Sequence, residues 1–387
     1  MPQGTRTAEE TGRAGEGNAS ASPGASKTVS DTRTLRRGVL NGTVLGLLAL
    51  LAIVLLNRDD LSGIGRVLTD LPAALAISAA VHLPQIVLTG LAWRVLITQG
   101  PVPSVAAMTA LRWYREAANA LLPAGALVGQ TATARLLARR GVPGHIAGAT
   151  ATVDLTLEAV SQLFVTLAGF GLLLARGGGA GEEADGGGGL TGFAVTGLCI
   201  GVASIVAMIL LQRRLPLRPL EALLNRLSRR WPALRPHWIA DFQDAVLRLH
   251  EERRALAAAV LLHSAAWLLG AVEIAGVLAL LGHPVSLTDA LIIESLSQAL
   301  RNAGFMLPGA IGVQEGAVVA VSALVGVPPA PALTTALVRR AREVLFGLPG
   351  LVAWRRSEVA SSGKTSSAGA SSPRPPLPRP PLPRMDA

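Results

Sequence analysis

Six stretches of this chain, 38–56, 72–97, 146–175, 190–211, 256–281 and 332–354, are predominantly apolar over about 19 residues or more. That is the length a helix needs to cross the hydrocarbon core of a bilayer. The runs do not alternate with a period of two, which argues against a β-barrel. Charged residues make up 16% of the chain, where a soluble domain carries about 25%. A soluble enzyme, a disordered chain and a fibrous protein are thereby excluded. The expected fold class is all-α, a polytopic integral membrane helical bundle.

Charge distribution orients the bundle. The formal net charge is +10, but the basic residues flank apolar runs, so they read as topology signals and contacts to anionic headgroups, not as a nucleic-acid surface. Residues 1–37 are polar and aperiodic and are expected to form a disordered cytoplasmic extension, with no signal peptide. Residues 212–254 hold ten arginines against five acids, which makes them a cytoplasmic loop, with amphipathic helices expected on the membrane surface. The Gly-rich acidic linker 177–189 falls on the far side. Both termini then lie in the cytoplasm. Residues 357–387 form a Pro-rich tail ending in PPLPRPPLPR, which reads as a solvated segment or as a polyproline II ligand.

Two stretches interrupt the pattern. Ser104–Gln130 is apolar but broken by Arg112, Arg115, Glu116 and Asn119, then by Pro123, Gly125 and Gly129. Residues 286–325 carry Arg301, Asn302, Pro308, Gly309, Gly312, Gln314 and Glu315. Each is expected to be a re-entrant hairpin, a backbone shape tolerated at membrane depth only where protein or a wet cavity satisfies its polar groups. The expected total is about six crossings plus two hairpins, filling a domain at 38–356.

A shift of 185 residues lays Pro123–Glu158 on Pro308–Glu343 without a gap, with 12 identities in 36 positions, among them Gly-Val-Pro at 141–143 and 326–328. Repeat one is expected at about 72–175 and repeat two at about 257–354, in opposite orientations. Inverted repeats around interrupted helices are a transporter signature with a site near the midplane. The alternative is a pair of similar Ala-rich hairpins aligned by chance.

The candidate site follows from intramembrane charge. An ionised side chain at a helix centre costs about 2.5–3.5 kcal/mol on insertion scales. Asp154 and Glu158 share one helix face, and Arg339, Arg340, Arg342 and Glu343 occupy the matching place in the second copy, with Arg339 and Glu343 spaced to pair. These groups must face the bundle interior. They are expected either to grip an anionic headgroup or to serve as packing ion pairs. Asp154, Glu158 and Glu343 are candidate proton carriers. Arg115, Glu116, Asn119, Arg301, Asn302, Gln314 and Glu315 join them as substrate-binding candidates. Pro123, Gly125, Gly129, Pro308, Gly309 and Gly312 are candidate tip residues that would expose backbone N–H groups to an anion, or would merely kink a helical turn.

Other signals are weak. The six histidines, at 82, 145, 237, 250, 263 and 283, lack ligand spacing, and the lone Cys199 permits neither a thiolate metal site nor an internal disulfide. Gly309, Gly312 and Gly316 lack the Gly-Lys-Ser/Thr ending of a P-loop. No metal, cofactor or catalytic cluster is expected.

AWRVLI (92–97), LRWYREAANALLPAGALVGQ (111–130), VDLTLEAVSQ (153–162), IIESLSQALRNAGFMLPGAIGVQEG (292–316) and LVRRAREVLFGLPGLVAW (337–354) resemble the lysylphosphatidylglycerol synthase transmembrane family. These are also called flippase-like domain proteins, and the likeness is greatest to the branch associated with bacterial hopanoid biosynthesis. The first-half Pro-Ala-Gly departs from the Pro-Gly-Gly common in the wider family. The resemblance implies a bacterial inner-membrane protein that moves or binds lipids, without the aminoacyl-transferase domain of the full synthases. Membrane lipids and hopanoid-biosynthesis proteins are the partners it implies.

Overall fold

The computed structural model describes residues 61–122, 125–176, 202–203, 206–210, 212, 237–303 and 312–370. Among the described residues the elements are helices and no strand occurs: α1 (Leu61–Val95), α2 (Val105–Leu121), α3 (Gly125–Ala138), α4 (Gly144–Ala175), α5 (His237–Glu251), α6 (Arg253–Leu280), α7 (Leu287–Ala303), α8 (Val313–Leu324) and α9 (Pro329–Ala370). The expected segments 1–37, 38–56, 177–189 and 213–236 lie outside the described residues, as do most of 190–211, the tail from 371 and Pro123, Pro308 and Gly309.

Among the described residues, three helices are long and apolar enough to cross a membrane: Thr69–Val95, Gly144–Ala175 and Arg253–Leu280. Their outer faces carry exposed Leu83, Phe164, Leu261 and Leu268, apolar surface that suits lipid. Helix α9 is longer still, at 42 residues, but carries Arg339, Arg340, Arg342 and Glu343 along its length. It runs on to Ala370, past the expected end of the crossing. Beyond that end, Glu358 receives Arg135 at 2.6 Å and Arg139 at 2.9 Å, which ties this part of the helix to α3.

The contacts repeat as the sequence does. Helices α1 and α6 pack on each other, α2 on α3 and α7 on α8, α3 on α4 and α8 on α9. The arms are exchanged: α2 lies on α9, and α7 lies on α4. The cores correspond at six positions. Trp93, Met108, Leu111, Val142, Ala147 and Ala151 form one; Leu278, Ala290, Ile293, Val327, Ala332 and Ala336 form the other. The offset is 185 residues except in the first arms, α2 and α7, where it is 182. The second repeat has a shorter connection before its arm and a longer tip within it. Turns match too: Gly100 and Gly282, like Gly141 and Gly326, adopt positive φ, which non-glycine residues reach only with strain. Ser104 caps α2 through Ala107 N–H, and Ser286 caps α7 through Asp289 N–H.

Close backbone approach holds the first arm. A Cβ on Gly125 would collide with the Ala118 carbonyl oxygen, and one on Gly129 would stand 3.0 Å from that of Arg115. Residue numbers therefore converge between α2 and α3, the mark of an antiparallel pair. Gly125 opens α3 and Gly129 lies within it, so both are contact positions of the small-xxx-small kind. Helix α5 realises the amphipathic expectation for 237–251. Its Ile239, Val246 and Leu249 are buried, while Trp238 and Leu247 remain exposed, and it packs on α4.

Candidate functional site

Charged residues of the long helices α4, α6 and α9 and of the short helices α2, α7 and α8 collect into two clusters. In the first, α2 aims Arg112 and Arg115 at α4. Arg115 Nη1 donates to Asp154 Oδ2 at 2.9 Å and to Gln130 Oε1 at 3.0 Å, and its Nη2 donates to Glu158. Arg112 donates to both oxygens of Glu158, through Nη1 at 3.0 Å and through Nη2, and its Nε reaches Glu116 at 3.0 Å. Asp154 also meets His263 Nε2 of α6 at 3.0 Å. Gln130 donates to the Ala151 carbonyl, and His82 of α1 stands 3.5 Å from Glu116.

The second cluster mirrors the first. Arg339 donates to both oxygens of Glu294, at 2.6 and 3.1 Å, and its Nε is 3.6 Å from Glu273. Arg342 donates to Glu273 at 2.9 Å, and Ser78 Oγ donates to the same carboxylate at 2.5 Å. Arg340 links Glu315 at 2.9 Å to Glu343 at 2.7 Å. Arg301 lies 3.6 Å from Glu343, and Gln314 donates to it at 3.3 Å. The i,i+4 partnership expected of Arg339 and Glu343 gives way to these cross-helix pairs, because Glu294 offers Arg339 a planar two-point fit.

Under the repeat offsets, Arg112 corresponds to Glu294 and Asp154 to Arg339. An ion pair between arm and long helix is present in both halves with its charges reversed, Arg339–Glu294 at 2.6 Å and Arg112–Asp154 at 3.8 Å.

Most of the expected residues come together. Arg115, Asp154, Arg339, Arg340, Arg342 and Gln314 are buried; Glu116, Glu158, Arg301, Glu315 and Glu343 are partly buried in the same clusters. Asn119 is exposed. Asn302 is exposed as well and donates to Gln162 of α4 at 2.9 Å. Gly312 begins α8 with φ of 80° and gives its N–H to Glu315 at 2.8 Å. Sequence reasoning missed Arg112, Glu273, Glu294 and His263 as site residues. The last three sit inside apolar or mixed runs, and a lone ionisable residue there was itself the available signal.

Several donors stay open. Nε of Arg339, Nη2 of Arg340 and Nε of Arg342 are buried without a hydrogen-bond partner among the described residues. Guanidinium groups with spare N–H directions can take up phosphate or carboxylate oxygens. No group of three metal-ligating side chains occurs among the described residues.

No curated protein and no solved structure matches the chain. A family model described as lysylphosphatidylglycerol synthase TM region matches residues 39–350. With that match over most of its length, the chain belongs to the lysylphosphatidylglycerol synthase transmembrane-region family, whose members are membrane proteins related to lipid handling.

Proposed function

We infer that the protein is a flippase-like lipid transporter of the bacterial inner membrane, with six crossings, two re-entrant arms and both termini in the cytoplasm. The arm helices support the re-entrant reading. Helices α2, α3 and α8 have 17, 14 and 12 residues, and rise about 25, 21 and 18 Å, short of the roughly 30 Å hydrocarbon core.

One observation carries the transport reading. The two halves hold charge-reversed buried ion pairs between an arm and a long helix, and each arm rests on the other half. A polar or anionic headgroup would replace carboxylates on Arg115, Arg301, Arg339, Arg340 and Arg342 while its tails stay in lipid. Rocking of the halves would then expose it to either side. Gln130 and Glu116, Asn119, Asn302, Gln314 and Glu315 would line its way. Hopanoid derivatives and other polar-headed lipids are the proposed substrate class.

An intramembrane transferase with Glu158 or Glu343 as base has less support. The oxygens of Glu158 already accept from Arg112 and Arg115, and Glu343 is engaged by Arg340 and Gln314. A scaffold for hopanoid enzymes would depend on the Arg-rich loop and the Pro-rich tail instead of the clusters. Purified protein in liposomes, assayed for transbilayer movement of labelled phospholipids and hopanoid derivatives, tests the reading. Acceleration that falls in Arg340→Gln supports it, and no acceleration with any of these lipids rejects it.

A further inference from the structure

We propose that Asp154 and His263 form a proton-binding site within the first cluster. The two clusters differ in charge. In the second, four arginines face Glu273, Glu294, Glu315 and Glu343, and the sum is zero. In the first, Arg112 and Arg115 face Asp154, Glu158 and Glu116, leaving one carboxylate in excess. An unmatched charge in a low-dielectric interior is costly and is relieved by taking up a proton.

Two imidazoles border the first cluster. The His82 and Glu116 side chains keep 15% and 27% exposure, so water can solvate that end. The side chains of His263 and Asp154 have no exposure, and that is where an uncompensated charge costs most. Asp154 Oδ2 is served by Arg115 at 2.9 Å and by Arg112 at 3.8 Å. Oδ1 receives no guanidinium among the described residues and faces only the ring of His263. Glu158, held by the same two arginines, adds its negative charge to the demand. Helices α1, α5, α7 and α9 also pack on α6, but bring no ion-pair partner to His263 among the described residues.

The ring is open to the change. Nε2 of His263 faces Asp154 Oδ1 at 3.0 Å, and Nδ1 is buried without a hydrogen-bond partner among the described residues, so no acceptor holds a proton on Nδ1 in the neutral ring. The pair gains its proton without breaking an existing hydrogen bond. The step is a single proton taken from water and later returned to it, with only an N–H or O–H bond made and broken. With it the first cluster is neutral like the second. The inference stands apart from the transport reading, since it concerns the resting protein whatever lipid is moved.

The test uses the full chain in phosphatidylcholine nanodiscs, with 15N-labelled histidine, at about pH 7.5, where an ordinary imidazole is about nine-tenths neutral. NMR reads imidazolium, and infrared spectroscopy reads a protonated carboxyl. One such signal is expected in the wild type, retained in His82→Gln and lost in Asp154→Asn. It is lost as well in Glu116→Gln, where Asp154 and His263 are intact but the arginines are already matched. That second variant decides the question if Asp154→Asn does not fold. Absence of both signals in the wild type, survival in Glu116→Gln, or loss in His82→Gln overturns the proposal.

Discussion

Arg112 on α2 and Glu294 on α7 stand at the same place in the two repeats and carry opposite charges, as do their partners Asp154 and Arg339. Each half thus holds an ion pair of reverse polarity at the same place, close and two-pointed between Arg339 and Glu294 at 2.6 and 3.1 Å and looser between Arg112 and Asp154 at 3.8 Å. The arm of the first repeat presents a cation to the interior and the arm of the second an anion, so the halves are alike in packing and unlike in what they attract.

Breaking one such pair leaves a buried ion without its partner, a loss of about 3–5 kcal/mol. Arg339→Gln is therefore expected to lower the unfolding midpoint of the purified protein clearly, since Glu294 and Glu273 lose their shared cation. The double variant Glu294→Gln/Arg339→Gln, which removes both charges, should recover part of that loss. Thermal unfolding in detergent, followed by tryptophan fluorescence, checks the order of the three proteins.

Glycines differ in what a methyl group would meet. At Gly125 it would collide with the Ala118 carbonyl oxygen, whereas at Gly316 nothing lies within 4 Å. Gly125→Ala is expected to part α2 from α3 and yield aggregated protein. Gly316→Ala should be tolerated, with up to about 1 kcal/mol gained from helix propensity. Size-exclusion profiles and melting points of the two variants distinguish the cases.

Arg340 bridges two carboxylates and keeps one N–H direction open. Lysine retains the charge but loses the planar fork. Arg340→Lys is expected to reduce lipid movement about tenfold or more in the liposome assay, with a melting point closer to wild type than that of Arg339→Gln. Equal transport by Arg340→Lys and wild type would remove Arg340 from the headgroup path.

The exchanged arms can be locked. A Cβ on Gly350 would stand 2.7 Å from that of Ala117, well inside the 3.5–4.5 Å usual between bridged cysteines, so α2 and α9 must part by about 1 Å to admit the bridge. After Cys199→Ser, the pair Ala117→Cys and Gly350→Cys should oxidise to a cross-link between α2 and α9, visible as a mobility shift. Transport should stop on oxidation and return on reduction.

Much of this was legible beforehand, for identifiable reasons. Gly-Val-Pro recurs because both segments need a positive-φ residue and then a helix start, so the matching turn was readable from spacing. The arms' offset of 182 was hidden, since a gap-free alignment anchored on the second turn absorbs a shortened connection and a lengthened tip. Asp154 and Arg339 were found because charge within an apolar run is costly. Their partners were not, because the i,i+4 rule sees one helix while Glu294 and His263 arrive from others. Glu273 sat in a segment read as a plain crossing, and only its contacts with Arg342 and Ser78 explain it.

Trp113 on α2 donates to the Phe346 carbonyl on α9 at 2.9 Å, across 233 residues of chain. During synthesis the first arm is therefore finished long before its resting place has been translated. Until α9 arrives, Arg112 and Arg115 have their α4 acids but the outer side of the arm has no neighbour. Biogenesis must shelter that orphan surface, and a chain cut short before α9 leaves it permanently bare for membrane quality control to recognise.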